Sequence, residues 1–126
     1  MKKSKAALII LFLAVVVLGL FFWFRSSSGL PGQYDDFAKC LSEKNVKMYG
    51  AFWCPHCNNQ KRLFGDSWQY MNYIECSTPD GRGQTQICKD QNIESYPTWE
   101  FQDGKKMTGE LRISDISRLS GCTLSQ

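Results

Sequence analysis

Residues 46 to 57 read VKMYGAFWCPHC, an apolar run that ends in two cysteines with two residues between them. The run alternates once around Lys47 and is then continuously apolar, which predicts a strand buried in the middle of a sheet. Residues 58–64 contain no Gly or Pro and therefore predict a helix that starts at the cysteine motif. Pro55 suits the first turn, where a helix needs no amide donor.

Further elements are predicted on both sides of this stretch. They are a helix over 34–44, a strand over 70–76, a helix over 83–92, a hairpin of strands 98–102 and 105–111, and a last helix capped by Ser114 and ended by Gly121. Ile116 and Leu119 of the last helix are expected to face inward. The alternation of helices and strands predicts an α/β fold with a central sheet flanked by helices.

The N-terminal fifth of the 126-residue chain differs from the rest. Three lysines precede an uncharged apolar run over residues 6–24, and these 19 residues would span roughly 28 Å as a helix, close to the thickness of a bilayer core. The bulky residues 21–24 are poor cleavage sites and good interfacial anchors. The sequence therefore predicts a transmembrane signal anchor over 1–25 with a cytoplasmic N-terminus. A signal peptide cleaved near Ser26 or Ser28 is the alternative.

A linker over 26–33 and a domain over 34–126 are predicted to follow on the exported side, in a periplasm, a lumen or outside the cell. This domain carries 11 Lys and Arg residues against 12 Asp and Glu residues, so the basic surplus of the chain gives no argument for nucleic-acid binding. All six cysteines lie in the domain. Behind an export signal, an even number of cysteines predicts disulfide bonds first.

Two thiols at positions i and i+3 of a helix start can exchange between a dithiol and a disulfide. Cys54 is expected at the helix N-terminus, where unpaired amides and the helix dipole stabilise a thiolate. His56 can add positive charge or a hydrogen bond. Cys57, one turn further in, is expected to be shielded and to act as the resolving thiol. Pro55 and His56 between the cysteines therefore predict an oxidising pair.

The other uses of a Cys-x-x-Cys motif fit less well. The motif supplies half of a zinc site, but His56 is the only histidine and no second ligand pair has metal spacing. Attachment of a c-type haem needs a histidine directly after the second cysteine, where Asn58 stands. A purely structural disulfide stays open as a less common use of the motif. No metal or other cofactor is expected.

Residues 53–57 together with Tyr96, Pro97 and Thr98 resemble the thioredoxin superfamily, and the Pro-His pair resembles the DsbA oxidases. A closer resemblance, to the thioredoxin-like domain fused to vitamin K epoxide reductase homologues of bacteria and plants, covers nearly all of the predicted domain. The stretches that carry it are 47–57, 60–61, 63–65, 75–76, 96–99 and 118–121.

The resemblance implies a thioredoxin-like fold, a redox pair at Cys54 and Cys57 and a cis peptide bond before Pro97. It also implies a quinone-linked membrane reductase of vitamin K epoxide reductase type as the electron acceptor. With one predicted span and no helical bundle here, that partner is expected to act in trans, or another oxidant serves. Thioredoxins and DsbA proteins carry a buried acid six residues before the first active cysteine, where this chain has Met48. Proton transfer at Cys57 then requires another group, with water as one candidate.

The resemblance also implies a structural disulfide between Cys76 and Cys88. Cys40 and Cys122 lie outside the recognised pattern, and a second bridge between them is the prediction for this pair. Trp99 is expected in the core, although a place on the surface around the active site is the alternative.

The sequence thus favours an oxidase that introduces disulfides into exported proteins and passes their electrons to a membrane reductase. A reductase or isomerase that uses the same cysteines is one alternative. A non-catalytic thioredoxin-like module that binds extended segments beside Pro97 is another. Trp53 and Tyr96 are candidates for the surface around the site, while a place in the core is the other reading for Trp53.

Overall fold

The structure is a computed structural model that describes residues 2–25 and 32–124, with side chains 9–20 described in the first helix. The described residues form two units, helix α1 (Lys2–Arg25) and a domain over 32–124. Most of the predicted linker, residues 26–31, lies outside the described residues.

Side chains 9–20 of α1 are all exposed. Within the described part of the chain, no helix is both long enough and apolar enough to cross a membrane. The structure describes side chains only for residues 9–20 of the predicted span over 6–24, so the membrane span stays a prediction.

The domain alternates helices and strands in the predicted order. The elements are α2 (Asp35–Glu43), β1 (Lys47–Gly50), α3 (Pro55–Phe64), a 3-10 helix (Gly65–Tyr70), β2 (Asn72–Glu75), α4 (Gln86–Asp90), β3 (Thr98–Glu100), β4 (Lys106–Thr108) and α5 (Ile113–Ser120). Strands β1 and β2 run parallel, and β1–β3 and β3–β4 run antiparallel, in a sheet of order β2-β1-β3-β4. This mixed sheet with its helices fits the α/β thioredoxin-like fold.

Several predicted boundaries were wrong. The second strand starts at Asn72 because residues 65–70 form the 3-10 helix. The helix predicted over 83–92 is limited to α4, since Gln84 pairs with Ser77 in an isolated β-bridge. Helix α5 starts at Ile113, so Ser114 lies inside it and is not its cap. The residue at the cap position is Arg112, whose guanidinium instead pairs with Asp115 at 2.8 Å.

The two faces of the sheet pack against different groups because strand side chains alternate. Met48 and Trp99, which are paired across β1 and β3, face the main core. This core includes residues of α2, α3 and α5 and is formed around Phe37, Leu41, Cys57, Phe64 and Ile116. Trp99 is fully buried, as predicted. Tyr49 faces the opposite side, with Cys76, Cys88 and Ile93.

Two disulfides cross-link the domain. Cys76 bonds Cys88 and thereby holds α4 against the end of β2. Cys40 of α2 bonds Cys122, which follows α5, so the first and last helices of the domain are linked across 82 residues. Both pairs agree with the pairings predicted from the sequence.

Candidate active site

Cys54 occupies the N-cap position of α3, and Pro55 is the first residue of the helix. The backbone at Cys54 is extended, with φ −77° and ψ 118°, and this turns its side chain back over the first turn. The N–H of Cys57 donates to Cys54 Sγ over 3.3 Å. The sulfur therefore accepts one of the amide donors that a helix start leaves unpaired, at the positive end of the helix dipole. Such a position stabilises a thiolate.

Cys57 lies one turn further into α3 and has no exposed surface. Burial raises the pKa of its thiol to about 12, and the hydrogen bond with Cys54 adds to the rise. A Cβ built on Gly50 would lie 2.9 Å from Cys57 Sγ, so the missing side chain at Gly50 lets α3 approach β1 closely. Cys57 is thus a protonated thiol at neutral pH, and Cys54 and Cys57 are both free of disulfides.

The loop before β3 faces Cys54 from the other side of the site. The Tyr96–Pro97 peptide bond is cis, and Pro97 is buried. Cys54 Sγ lies 3.7 Å from the carbonyl oxygen of Tyr96. The structure therefore brings the Tyr96–Pro97 peptide to Cys54, although Cys54 and Tyr96 are 42 residues apart in the chain.

Two large side chains that directly precede Cys54 in the chain are exposed at the surface. Phe52 and Trp53 are 50% and 52% exposed, whereas Cys54 is 5% exposed. The indole N–H of Trp53 donates to Ser77 Oγ over 2.8 Å, and its ring meets Tyr96 edge-on with 6.1 Å between the centroids. Trp53 is thus a fixed surface residue beside the site and not a core residue.

His56 contacts a residue that the sequence did not mark as part of the site. Its Nδ1 lies 2.6 Å from Oε1 of Glu110, which follows β4. Asn59 Nδ2 donates to the same oxygen over 3.1 Å. The hydrogen bonds from His56 and Asn59 hold the pKa of Glu110 below its usual range. No local motif marks Glu110, because only the closure of the fold brings it to α3.

Metal-binding geometry is absent from the part of the chain that the structure describes. Within residues 2–25 and 32–124, no group of three or more His, Cys, Asp or Glu side chains could hold a metal ion. Four of the six cysteines are in disulfides, which leaves Cys54 and Cys57 as thiols. What this arrangement can do is exchange between a dithiol and a disulfide.

No protein-family profile matches the chain. Thiol-disulfide oxidoreductase LTO1 of Arabidopsis thaliana is 43% identical to it over 94 residues, which make up 71% of this chain and 24% of that protein. The similarity supports a thioredoxin-like thiol–disulfide oxidoreductase. The chain spans about a quarter of the length of this relative.

Proposed function

We propose that this protein is a thiol–disulfide oxidase that acts on exported proteins through Cys54 and Cys57. The observation that carries the proposal is the difference between the two thiols. Cys54 accepts a helix-start amide, is 5% exposed and directly follows the exposed residues Phe52 and Trp53, whereas Cys57 has no exposed surface. The Cys54 sulfur is therefore placed to react with a substrate, whereas the Cys57 sulfur is placed to react only with Cys54.

The reaction proceeds through a mixed disulfide. A substrate thiolate attacks Cys54 Sγ of the oxidised pair, the Cys54–Cys57 bond breaks, and Cys57 takes up a proton. A second substrate thiolate then attacks the substrate sulfur of the mixed disulfide, which forms the substrate disulfide and releases Cys54 as a thiolate. The two electrons from the substrate now reside in the Cys54–Cys57 dithiol.

The direction follows from the stability of the Cys54 thiolate. The helix N-terminus and the Cys57 amide stabilise the negative charge of the reduced form, and a stabilised reduced form makes the disulfide a stronger oxidant. Continued turnover needs an electron acceptor. We assign this role to a quinone-linked membrane reductase of vitamin K epoxide reductase type.

The surface around Cys54 favours extended, partly apolar substrate segments. Phe52 and Trp53 offer exposed rings, and the loop with Pro97 lies across from Cys54. A strand laid along this loop would bring its own sulfur to Cys54.

The test uses the full chain in detergent. The oxidised protein should regenerate active ribonuclease from its reduced, unfolded form, and Cys54→Ser should be inactive. Efficient insulin reduction without ribonuclease oxidation would instead favour the reductase or isomerase. Binding of unfolded chains with neither activity would favour the non-catalytic module.

The same proposal includes a membrane anchor over residues 6–24. It is supported by the uncharged apolar sequence of this run behind three lysines, and by the exposure of side chains 9–20. Alkaline carbonate extraction should leave the protein in the membrane, with the domain open to protease on the exported side. A soluble product shortened by the apolar run would contradict the anchor and favour a cleaved signal.

A further inference from the structure

The buried thiol of Cys57 shares its surroundings with two polar side chains of β2. The parallel register pairs Met48 with Tyr73 and Gly50 with Glu75, so both β2 side chains lie on the sheet face that α3 covers. A Cβ built on Gly50 would lie 2.9 Å from Cys57 Sγ and 3.2 Å from the Tyr73 hydroxyl oxygen. The sulfur and the hydroxyl therefore border the same small space above Gly50.

The Tyr73 hydroxyl is connected to a carboxylate. It donates to Oε2 of Glu75 over 2.8 Å. The other oxygen of Glu75 accepts the backbone N–H groups of Ser77 at 2.8 Å and Phe52 at 3.2 Å, which hold the carboxylate in place. Glu75 is half-buried, so a proton that reaches it can pass on to solvent.

The other groups that face Tyr73 come from α3 and the 3-10 helix. Lys61 of α3 places Nζ 3.7 Å from the centre of the Tyr73 ring, and Trp68 meets the ring edge-on at 5.9 Å. The pKa of Tyr73 is raised by burial and by its hydrogen bond to Glu75, so the phenol stays neutral. A neutral hydroxyl can accept one proton while it donates its own.

Cys57 needs such a route because its thiol carries a proton that it must lose as it attacks Cys54. The position that holds the buried acid in thioredoxins is the apolar Met48 here, and Met48 has no exposed surface. We propose that Tyr73 and Glu75 form a proton relay for Cys57 that takes the place of the missing acid. The relay rests on the function proposed above, since it serves the exchange step between Cys54 and Cys57.

In the relay, Cys57 Sγ attacks Cys54 Sγ of a mixed disulfide while its S–H bond breaks. The proton passes to the Tyr73 oxygen as the proton of Tyr73 passes to Glu75 Oε2. The Cys54–Cys57 bond forms and the substrate leaves as a thiolate, so atoms and electrons balance. When a substrate thiolate opens the disulfide, the same path returns a proton to Cys57.

The experiment follows the reaction of the reduced full chain, in detergent, with the aromatic disulfide dithiobis(nitrobenzoic acid). Attack by Cys54 releases a first coloured thiolate, and displacement by Cys57 releases a second. Tyr73→Phe and Glu75→Gln should slow only the second release, by about tenfold or more near neutral pH, which is within the usual range for proton-transfer groups. The deficit should shrink as the pH rises, because hydroxide then removes the proton directly.

The matched control is Tyr49→Phe. Tyr49 also donates to a carboxylate, Glu100 Oε2 at 2.9 Å, but on the opposite face of the sheet from the thiols. This variant should leave both releases unchanged. Suppose that the wild type releases two thiolates and that Tyr73→Phe and Glu75→Gln leave the rate of the second release unaltered. This result would overturn the relay but not the proposed function. Slowing of both releases by the same factor at every pH would also overturn the relay, in favour of a structural role. Wild-type release of a single thiolate would overturn the proposed function together with the relay.

Discussion

The imidazole of His56 and the carboxylate of Glu110 form a pair, with Nδ1 2.6 Å from Oε1. His56 lies between Cys54 and Cys57 in the motif, and Glu110 lies 54 residues further along the chain. The motif suggests that His56 adds positive charge near Cys54. In the structure, the carboxylate of Glu110 places a negative charge beside the same imidazole. We therefore expect Glu110 to reduce the effect by which His56 makes the redox potential of the Cys54–Cys57 pair more oxidising.

Substitutions at the pair should move the redox potential in opposite directions. Glu110→Gln removes a negative charge from the start of α3, so the Cys54 thiolate gains stability and the potential should become more oxidising. His56→Ala removes the imidazole but keeps the negative charge of Glu110, so it should make the potential more reducing, without removing activity. A tenfold change in the exchange equilibrium corresponds to about 30 mV. Equilibration of each variant with glutathione buffers measures both redox potentials.

Asp115→Asn is the control for these potentials. Asp115 is a carboxylate paired with Arg112 on α5, and its loss should leave the potential unchanged. A more reducing potential in Glu110→Gln would show that the carboxylate acts on Cys54 by another route.

The same pair should be visible in the titration of Glu110. His56 and then Asn59 lower the pKa of this carboxyl, so the pair stabilises the fold above the ordinary carboxyl pKa of about 4.3. That stabilisation is lost as the pH falls through the lower, folded value. Carbon-detected NMR should find a lowered pKa for Glu110 in the wild type and a higher one in His56→Ala. Equal values in the two proteins would contradict the contact.

Removal of the resolving thiol should trap the exchange intermediate. Cys57→Ser keeps the Cys54 sulfur at the helix start but removes the group that displaces the substrate, so mixed disulfides should accumulate. They should include any membrane reductase that reoxidises the pair. Cys54→Ser should trap nothing, because Cys57 has no exposed surface. Non-reducing gels with mass spectrometry read the result. The reverse pattern, with adducts on Cys57, would contradict the assignment of roles.

The two structural disulfides should differ in their contribution to stability. Cys76–Cys88 spans 12 residues and Cys40–Cys122 spans 82. In the chain-entropy model, closing these loops contributes about 3 and about 4.5 kcal/mol, respectively. Replacing both cysteines of each pair by Ala should therefore lower the free energy of unfolding more for Cys40–Cys122. Denaturant titration measures this, and a larger loss at the shorter loop would show that local packing outweighs loop entropy.

The fold could be predicted from the sequence where the signal is local. The apolar run before Cys54 predicted β1, and the absence of Gly and Pro from residues 58–64 predicted α3. The strand β2 was predicted to start at residue 70, because Tyr70 and Met71 suit a strand by their composition, whereas the 3-10 helix continues through Tyr70 and the strand starts at Asn72.

The site could be predicted only in part, for a related reason. The two cysteines and Pro97 carry recognisable motifs, and the apolar Met48 showed that a buried acid is missing. Glu110 and Tyr73 carry no motif. Glu110 reaches the site because the chain after β4 packs against α3, and Tyr73 reaches it through the register of β1 with β2. Both are long-range features of the fold.

The redox potential of the Cys54–Cys57 pair tests the central claim most directly. Equilibrating the full chain with glutathione buffers and trapping its thiols gives this value. The stabilised Cys54 thiolate predicts a potential more oxidising than the roughly −270 mV of thioredoxin. A potential at or below that value would contradict the oxidase and make the protein a reductase.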